Sequence, residues 1–357
     1  MAITKVHHVG LVNGDLDLAQ NVFVNGFGLC VDEHRTPLPA GKPGYDGTTI
    51  LEFPIGEMYY EVAKPNDTES PAAQYLAGTN GRGGMYYLSL ASNDMAGDIQ
   101  RITSKGGKLL GEWDGSGPVD LDPATSLGLR IQITPDDPYY VHPYYKGNGT
   151  CMGMAHIGIA GRDPEESRGF WGDMLGIRED MVTRSGGGTW EERKKTDSGS
   201  GRAASDPVFI LEFSIGGSVI EISHPTTTDS GTARLVASRA TLGNVFHHTA
   251  PFAPDVHRFI EQAVPAGLEQ IGSIPPREET TRATAWFHPR ACLGMLLEPW
   301  NRPPGDEHSV HLRKVIPAGS ERGEARHRPG LGVEQRLAAL REPLASKIIV
   351  GVLPLVA

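Results

Sequence analysis

Apolar and polar positions alternate along residues 1–300 in an order that repeats four times. Each repeat begins with a short apolar run that is typical of a strand. A predicted helix follows, which begins at an Asp, Asn or Pro residue and ends near a Gly. Further strand-like runs complete the repeat. We predict four β-α-β-β-β modules, an α+β fold, with first strands over residues 5–12, 85–90 and 154–160 and from residue 245 onward. The predicted helices cover residues 15–23 and 94–104, open at Asp163 in the third module, and cover residues 255–263 in the fourth.

One heptapeptide of the chain occurs twice with a single change. The sequence ILEFPIG at residues 50–56 returns as ILEFSIG at residues 210–216, and a glutamate, Glu61 or Glu221, follows five positions after the last glycine of each copy. Such internal similarity indicates a duplicated unit. We therefore predict two domains of two modules each, at residues 1–150 and 151–300, followed by a tail at residues 301–357 to which we assign no chemistry.

Two segments interrupt this repeat. Residues 135–149 are rich in Pro, Gly and Tyr and are typical of an interdomain connection. Residues 185–205 form a Gly- and Ser-rich insertion that the first half lacks. Long polar loops in compact domains are often active-site lids. A tolerated surface insertion explains this one equally well. A short helix over residues 333–344 is the one element that we expect in the tail.

Composition restricts the class of partner. The net charge of −10 offers no basic surface for nucleic acid or for an anionic membrane, so we expect a small-molecule substrate. The apolar run at residues 348–357 is too short to span a bilayer. Three scattered cysteines and a start without a signal-peptide pattern favour a cytoplasmic location. The sequence leaves the oligomeric state open, a homo-oligomer included.

Metal-ligand residue types stand at corresponding positions of the four modules. Alternation along the fourth module's first strand puts His247 and His248 on opposite faces, and we select His248 because it occupies the same place in its strand as His156. Two imidazoles and two carboxylates suit one divalent ion, namely zinc, nickel, cobalt, manganese or ferrous iron. The predicted ligands are His156, Glu221, His248 and Glu298. Their first-half counterparts are His8, Glu61, Tyr87 and Gln132, a set with two weak ligands, so we expect that half to be structural or to shape the substrate entrance.

With these residues in view, the chain resembles the vicinal oxygen chelate superfamily, which includes glyoxalases, methylmalonyl-CoA epimerases and extradiol dioxygenases. The second half is similar to the epimerases in the segments 155–159, 218–225 and 287–298 and in the His247-His248 pair. The resemblance implies curved sheets with a metal that chelates one or two substrate oxygens. A cation at a carbonyl oxygen stabilises the charge that forms when the adjacent carbon loses its proton. We expect an isomerase, epimerase or lyase in which Glu298 and Glu221 are the catalytic carboxylates.

Two other functions fit the same residues. In the first, a ferrous extradiol-type dioxygenase uses His156, His248 and Glu298 alone, because a 2-His-1-carboxylate triad leaves positions open for a catecholate and dioxygen. Glu221, the carboxylate that would be a fourth ligand, favours an isomerase instead. In the second, a metal-free binding protein of this fold holds a small molecule in its cleft.

Overall fold

The computed structural model describes residues 3–136, 143–180, 189–198, 206–238, 243–279 and 283–301. All of them fall within one compact unit, Met1–Val315. The helix predicted at residues 333–344 lies outside the described residues. Residues 185–188 and 199–205, the two ends of the 185–205 insertion, also lie outside them. The domain boundaries near residues 150 and 300 stay predictions.

A mixed sheet of seven strands forms the first half. Its elements are β1 (Ile3–Val12), α1 (Leu16–Gln20) with a π-helical continuation (Asn21–Gly26), β2 (Lys42–Pro43), β3 (Thr48–Ile55), β4 (Met58–Pro65), α2 (Pro71–Gly78), β5 (Gly84–Ser92), α3 (Met95–Ser104), β6 (Val119–Asp120) and β7 (Ile131–Pro135). The strand order is β2-β3-β4-β1-β5-β7-β6. Strand β1 pairs parallel with β4 and antiparallel with β5, which places the two modules side by side in one sheet.

The second half repeats this arrangement. Its elements are β8 (Gly153–Ala160), α4 (Pro164–Ser167) with a π-helical continuation (Arg168–Met174), α5 (Trp190–Ser198), β9 (Val208–Ile215), β10 (Ser218–Pro225), α6 (Gly231–Ser238), β11 (Val245–Phe252), α7 (Val256–Ala263), β12 (Gln270–Ile271), β13 (Ala283–Thr284), β14 (Trp286–Phe287), β15 (Leu296–Leu297) and β16 (Trp300–Asn301). The main path runs β12-β14-β15-β11-β8-β10-β9. Strand β8 pairs parallel with β10 and antiparallel with β11, as β1 does in the first half. The α+β architecture with two mixed sheets is thereby confirmed.

Helix starts follow the predicted capping residues. The side chains of Asp15, Asp94, Asp163 and Asp255 each accept backbone N–H bonds of the first helical turn. The sequence prediction did not include α2 and α6, which follow the central hairpin of each half. It was wrong for part of the 185–205 insertion, which was predicted as a polar loop but contains α5. For α2 the signal was present, because Ser70 caps the helix and a proline holds its first position.

The two halves pack through reciprocal helix contacts. Asn21, in the π-helical segment after α1, donates a hydrogen bond from Nδ2 to the carbonyl oxygen of Ala266, just beyond α7 (2.7 Å). Conversely, the Arg101 guanidinium on α3 donates to the carbonyl oxygens of Met174 (3.1 Å) and Leu175 (2.8 Å), after α4. Because α3 corresponds to α7 and α1 to α4, these contacts relate the halves by an internal two-fold axis.

Within the described ranges, every helix is too short or too polar to cross a lipid bilayer.

Candidate metal centre

Three predicted ligands converge in the second half. His156 lies on β8, His248 on β11, and Glu298 directly after β15. The Nε2 atoms of the two histidines are 2.9 Å apart. Oε2 of Glu298 lies 3.0 Å from Nε2 of His156 and 3.3 Å from Nε2 of His248. All three side chains are buried, and they form the one group of metal-ligand atoms found among the described residues.

Strand pairing explains why these side chains meet. Residues that face each other on neighbouring strands point to the same side of a sheet. Gly158 of β8 pairs with His248 on one side and with Glu221 of β10 on the other. His156 stands two positions before Gly158 and therefore shares its face. Four side chains, including that of Glu298, are thus directed to one face of the sheet.

The spacing of the three donor atoms fits a metal ion. Donor atoms about 2.1 Å from a shared ion lie about 3.0 Å apart at right angles and about 3.4 Å apart in a tetrahedron. The observed separations of 2.9, 3.0 and 3.3 Å match such edges. An ion bound by these two imidazole nitrogens and one carboxylate oxygen would have its three protein ligands on one side. Its other coordination positions would be available to exogenous ligands.

Neighbouring groups hold the three side chains in place. The Thr284 hydroxyl donates to Oε1 of Glu298 (3.0 Å), which leaves Oε2 to face the histidines. The indole of Trp300 contacts the His156 ring edge to face, with 5.1 Å between centroids, and Trp286 contacts His248 at 5.3 Å. Burial opposes ionisation of Glu298, but hydrogen bonds from both histidines prevail and lower the pKa of this carboxyl below its usual range.

Gly158 supplies the space for the His248 ring. A Cβ atom on Gly158 would lie 2.0 Å from Cε1 and 2.2 Å from Nδ1 of that ring, far inside van der Waals contact. The His248 ring therefore occupies the space that a side chain at position 158 would fill. Only a glycine permits that position.

Glu221, the fourth predicted ligand, is buried on β10 and is not a member of the three-residue donor group. Its pairing with Gly158 still directs it to the face that carries the triad. Its proposed roles as ligand and as base stay predictions.

The first half places different chemistry at the same positions. Nε2 of His8 lies 2.6 Å from the Tyr87 hydroxyl, which donates to Oε1 of Glu61 (2.6 Å). The Tyr87 ring covers Gly10 as the His248 ring covers Gly158. Oε1 of Gln132 accepts a hydrogen bond from Ser89 (3.0 Å). Three of the four corresponding positions, His8, Tyr87 and Glu61, thus form a chain of hydrogen bonds, and Gln132 bonds separately to Ser89.

The pKa values of buried groups in the first half also argue against a metal site there. Burial lowers the pKa of His8 well below that of a free imidazole. Burial also raises the pKa of Glu61 to about 7, against the opposing hydrogen bond from Tyr87. A neutral imidazole and a carboxyl that is more readily protonated than usual reduce the negative charge that would attract a cation to this cluster.

Sequence reasoning missed two residues that shape the centre. Gly158 was visible in the repeated His-x-Gly pattern of β1 and β8, but its steric role depends on which ring crosses the strand. No comparable signal marks Thr284, because its contact with Glu298 depends on a short strand pairing between β13 and β16.

Comparisons with known proteins agree with this description. Two models of the Glyoxalase/Bleomycin resistance protein/Dioxygenase superfamily match, one at residues 7–121 and one at residues 153–298. No curated protein sequence matches the chain.

Two of the solved structures that match align over most of this chain, and a third aligns over less than half of it. A mutant of 4-hydroxymandelate synthase from Streptomyces coelicolor aligns with a TM-score of 0.58 at 13% identity, covering 86% of this chain and 95% of that one. A fusion protein of a xylose isomerase-like TIM barrel and 4-hydroxyphenylpyruvate dioxygenase aligns with a TM-score of 0.56 at 13% identity, covering 96% of this chain and 53% of the other. Methylmalonyl-CoA epimerase from Mycobacterium tuberculosis covers 44% of this chain and 93% of its own, with 17% identity and a TM-score of 0.33. At these identities the likeness concerns the fold alone.

Proposed function

The chain belongs to the vicinal oxygen chelate superfamily, and from this premise we propose that it is a metal-dependent dioxygenase with a ferrous 2-His-1-carboxylate centre in its second half. The residues that would hold the ion are His156, His248 and Glu298. The substrate class is a small organic molecule with two adjacent oxygen atoms, such as a catechol or a 2-oxo acid.

A single observation carries this proposal. Among the residues that the structure describes, three donor atoms lie close enough together to share one ion, and Glu221 is not one of them. Three protein ligands on one face of an octahedron leave three positions, enough for a substrate that binds through two oxygens and for dioxygen. The whole-chain fold likeness to 4-hydroxymandelate synthase and to a 4-hydroxyphenylpyruvate dioxygenase fusion agrees with this choice.

The surrounding residues have definable tasks. The ion, when bound, supplies a Lewis acid and a template for the substrate oxygens. Thr284 holds Glu298 so that one carboxylate oxygen faces the ion. Trp286 packs against the His248 ring and Trp300 against the His156 ring, which restricts the positions of the two imidazoles. Gly158 allows the His248 ring to reach its position.

A second candidate function keeps the site and changes the chemistry. Glu221 is a buried carboxylate directed to the same face, next to Gly158. A carboxylate there could remove and return a proton at a carbon beside a chelated carbonyl, as an isomerase or lyase requires. This reaction consumes no oxygen.

Oxygen consumption distinguishes the two functions. The protein is freed of metal, loaded anaerobically with ferrous iron and mixed with a panel of catechols and 4-hydroxyphenylpyruvate in an oxygen electrode. We expect iron-dependent oxygen uptake that His248→Ala abolishes together with most bound metal. Gln132→Ala changes the corresponding region of the first half and should leave both unchanged. Solvent deuterium entering a substrate carbon without oxygen uptake would reject the dioxygenase in favour of the isomerase.

A further inference from the structure

A cavity of about 470 Å³ lies where the two halves meet. Small-molecule sites commonly have volumes of about 300–1,000 Å³. None of the three candidate metal ligands lines this cavity, although His247 in its wall contacts His248 through their Nδ1 atoms (3.2 Å).

Corresponding positions of the two halves build the cavity. Tyr86 lines one wall and His247 the other, and each directly precedes the residue whose ring covers the glycine of its half. Tyr75 on α2 and Leu235 on α6 likewise face the cavity from equivalent helices. The cavity therefore lies across the internal two-fold axis that the helix contacts define.

The two walls differ in chemistry although their backbones correspond. The first half contributes the Arg130 guanidinium, whose Cζ lies 4.1 Å from the centroid of the Tyr86 ring and whose Nη1 donates to the Tyr86 hydroxyl. The ion pair of Arg130 with Asp46 is long, with 3.9 Å between Nη2 and Oδ2. The second half contributes the apolar side chains of Leu235, Phe246 and Met295 beside the polar Asn244 and His247. The first wall thus carries a cation, and the second offers apolar surface with neutral polar groups next to it.

We propose that this cavity binds a small aromatic carboxylate. A partly buried guanidinium with one distant counter-ion gains charge-assisted hydrogen bonds from a carboxylate, and its planar shape suits that group. The apolar wall takes up the aromatic body of the ligand and removes it from water. A neutral or cationic ligand of the same shape would lose the first interaction and keep the second.

Paired probes of equal shape test the charge requirement. Binding of 2-naphthoate and of the neutral 2-naphthamide to the metal-free protein is measured by isothermal titration calorimetry. A hydrogen bond to a charged group is worth about 1.5–3 kcal/mol, so we expect the carboxylate to bind about ten- to a hundredfold more tightly. Arg130→Gln should bring the two dissociation constants close together while leaving the affinity for 2-naphthamide nearly unchanged.

Further variants locate the probe. Ser238→Trp, introduced at the exposed rim, and Leu235→Trp, introduced in the wall, should both block binding, and thermal unfolding verifies that each variant is folded. Glu298→Gln changes the metal centre and should leave 2-naphthoate binding intact. Equal affinity for both probes, or no binding by the folded wild type, would overturn the proposal. Loss of binding in Glu298→Gln but not in Arg130→Gln would move the probe to the metal centre and overturn it as well.

Discussion

Gly158→Ala tests the geometry of the proposed centre most directly, because it adds one methyl group and removes nothing. The new Cβ would lie 2.0 Å from Cε1 and 2.5 Å from Nε2 of His248. Carbon atoms in contact are about 3.5–4.0 Å apart, so the ring must move by about 1.5 Å or more. Metal–ligand distances tolerate about 0.2 Å. The substitution should therefore remove His248 from the ligand set.

The expected loss can be bounded from below. Changes that only disturb the groups supporting a metal ligand cost about 10- to 100-fold in metal affinity. Displacing a ligand outright should cost at least that much. The forced contact should also lower the free energy of unfolding of the metal-free protein by about 1–3 kcal/mol. Both quantities are measurable, by titrating the metal-free protein with Co²⁺ against a competing chelator and by urea unfolding.

The duplicated fold supplies a matched control for this experiment. A Cβ on Gly10 would lie 1.9 Å from Cε1 of Tyr87, so Gly10→Ala creates the same kind of clash in the first half. It should lower stability by a similar amount and leave Co²⁺ affinity unchanged. If Gly158→Ala binds Co²⁺ as tightly as the wild type does, His248 is not a ligand in the position described here and the reasoning fails.

Three further predictions concern single contacts. Thr284→Val removes the hydrogen bond that orients Glu298 and should weaken Co²⁺ binding about tenfold in the same titration. Tyr60→Phe removes the 2.9 Å hydrogen bond from the Tyr60 hydroxyl in the first half to Thr249 in the second, and urea unfolding should show a loss of about 1 kcal/mol. The pKa of Glu61 is raised from 4.5 to about 7 in the folded protein. Its contribution to stability is therefore fully present below pH 4.5 and lost as the pH rises to about 7. Relative to Glu61→Gln, the wild type should lose up to about 3 kcal/mol over this interval, and parallel curves for the two proteins would contradict the assignment.

The sequence alone was sufficient for the fold and for most of the centre's residue types. Duplication made the comparison of halves possible, and hydrophobic period together with Asp caps located most helices and first strands. The choice of His248 over His247 rested on strand alternation, and the structure places His248, not His247, in the donor group. Such local rules hold here because each module is built on paired strands whose side-chain directions are fixed.

Distances between separate strands could not be predicted in the same way. Comparison of the two halves of the sequence predicted both Glu221 and Glu298 as ligands. Of these two, only Glu298 lies close to both histidines. Both carboxylates lie on or next to strands that flank the β8–β11 pair, so sheet order alone does not distinguish them. The direction of the Glu298 carboxylate depends on its contact with Thr284. This contact has no local sequence signal. The cavity between the halves was equally hidden, because it arises from packing across the internal two-fold.

Comparison of the halves shows how one backbone arrangement carries a candidate metal centre in one half and a hydrogen-bonded cluster in the other. Both halves place a histidine on the first strand, a glycine two positions later and a ring from the neighbouring strand over that glycine. In the first half the ring is a phenol, and its hydroxyl lies 2.6 Å from both His8 and Glu61. Burial raises the pKa of the Glu61 carboxyl, and the hydrogen bond from Tyr87 offsets this rise only in part. In the second half the ring is an imidazole, and burial likewise opposes ionisation of Glu298. Hydrogen bonds from His156 and His248 outweigh that burial and lower the pKa of Glu298. The first half cannot repeat this arrangement, because Gln132 stands at the position of Glu298 and a phenol stands at the position of the His248 imidazole.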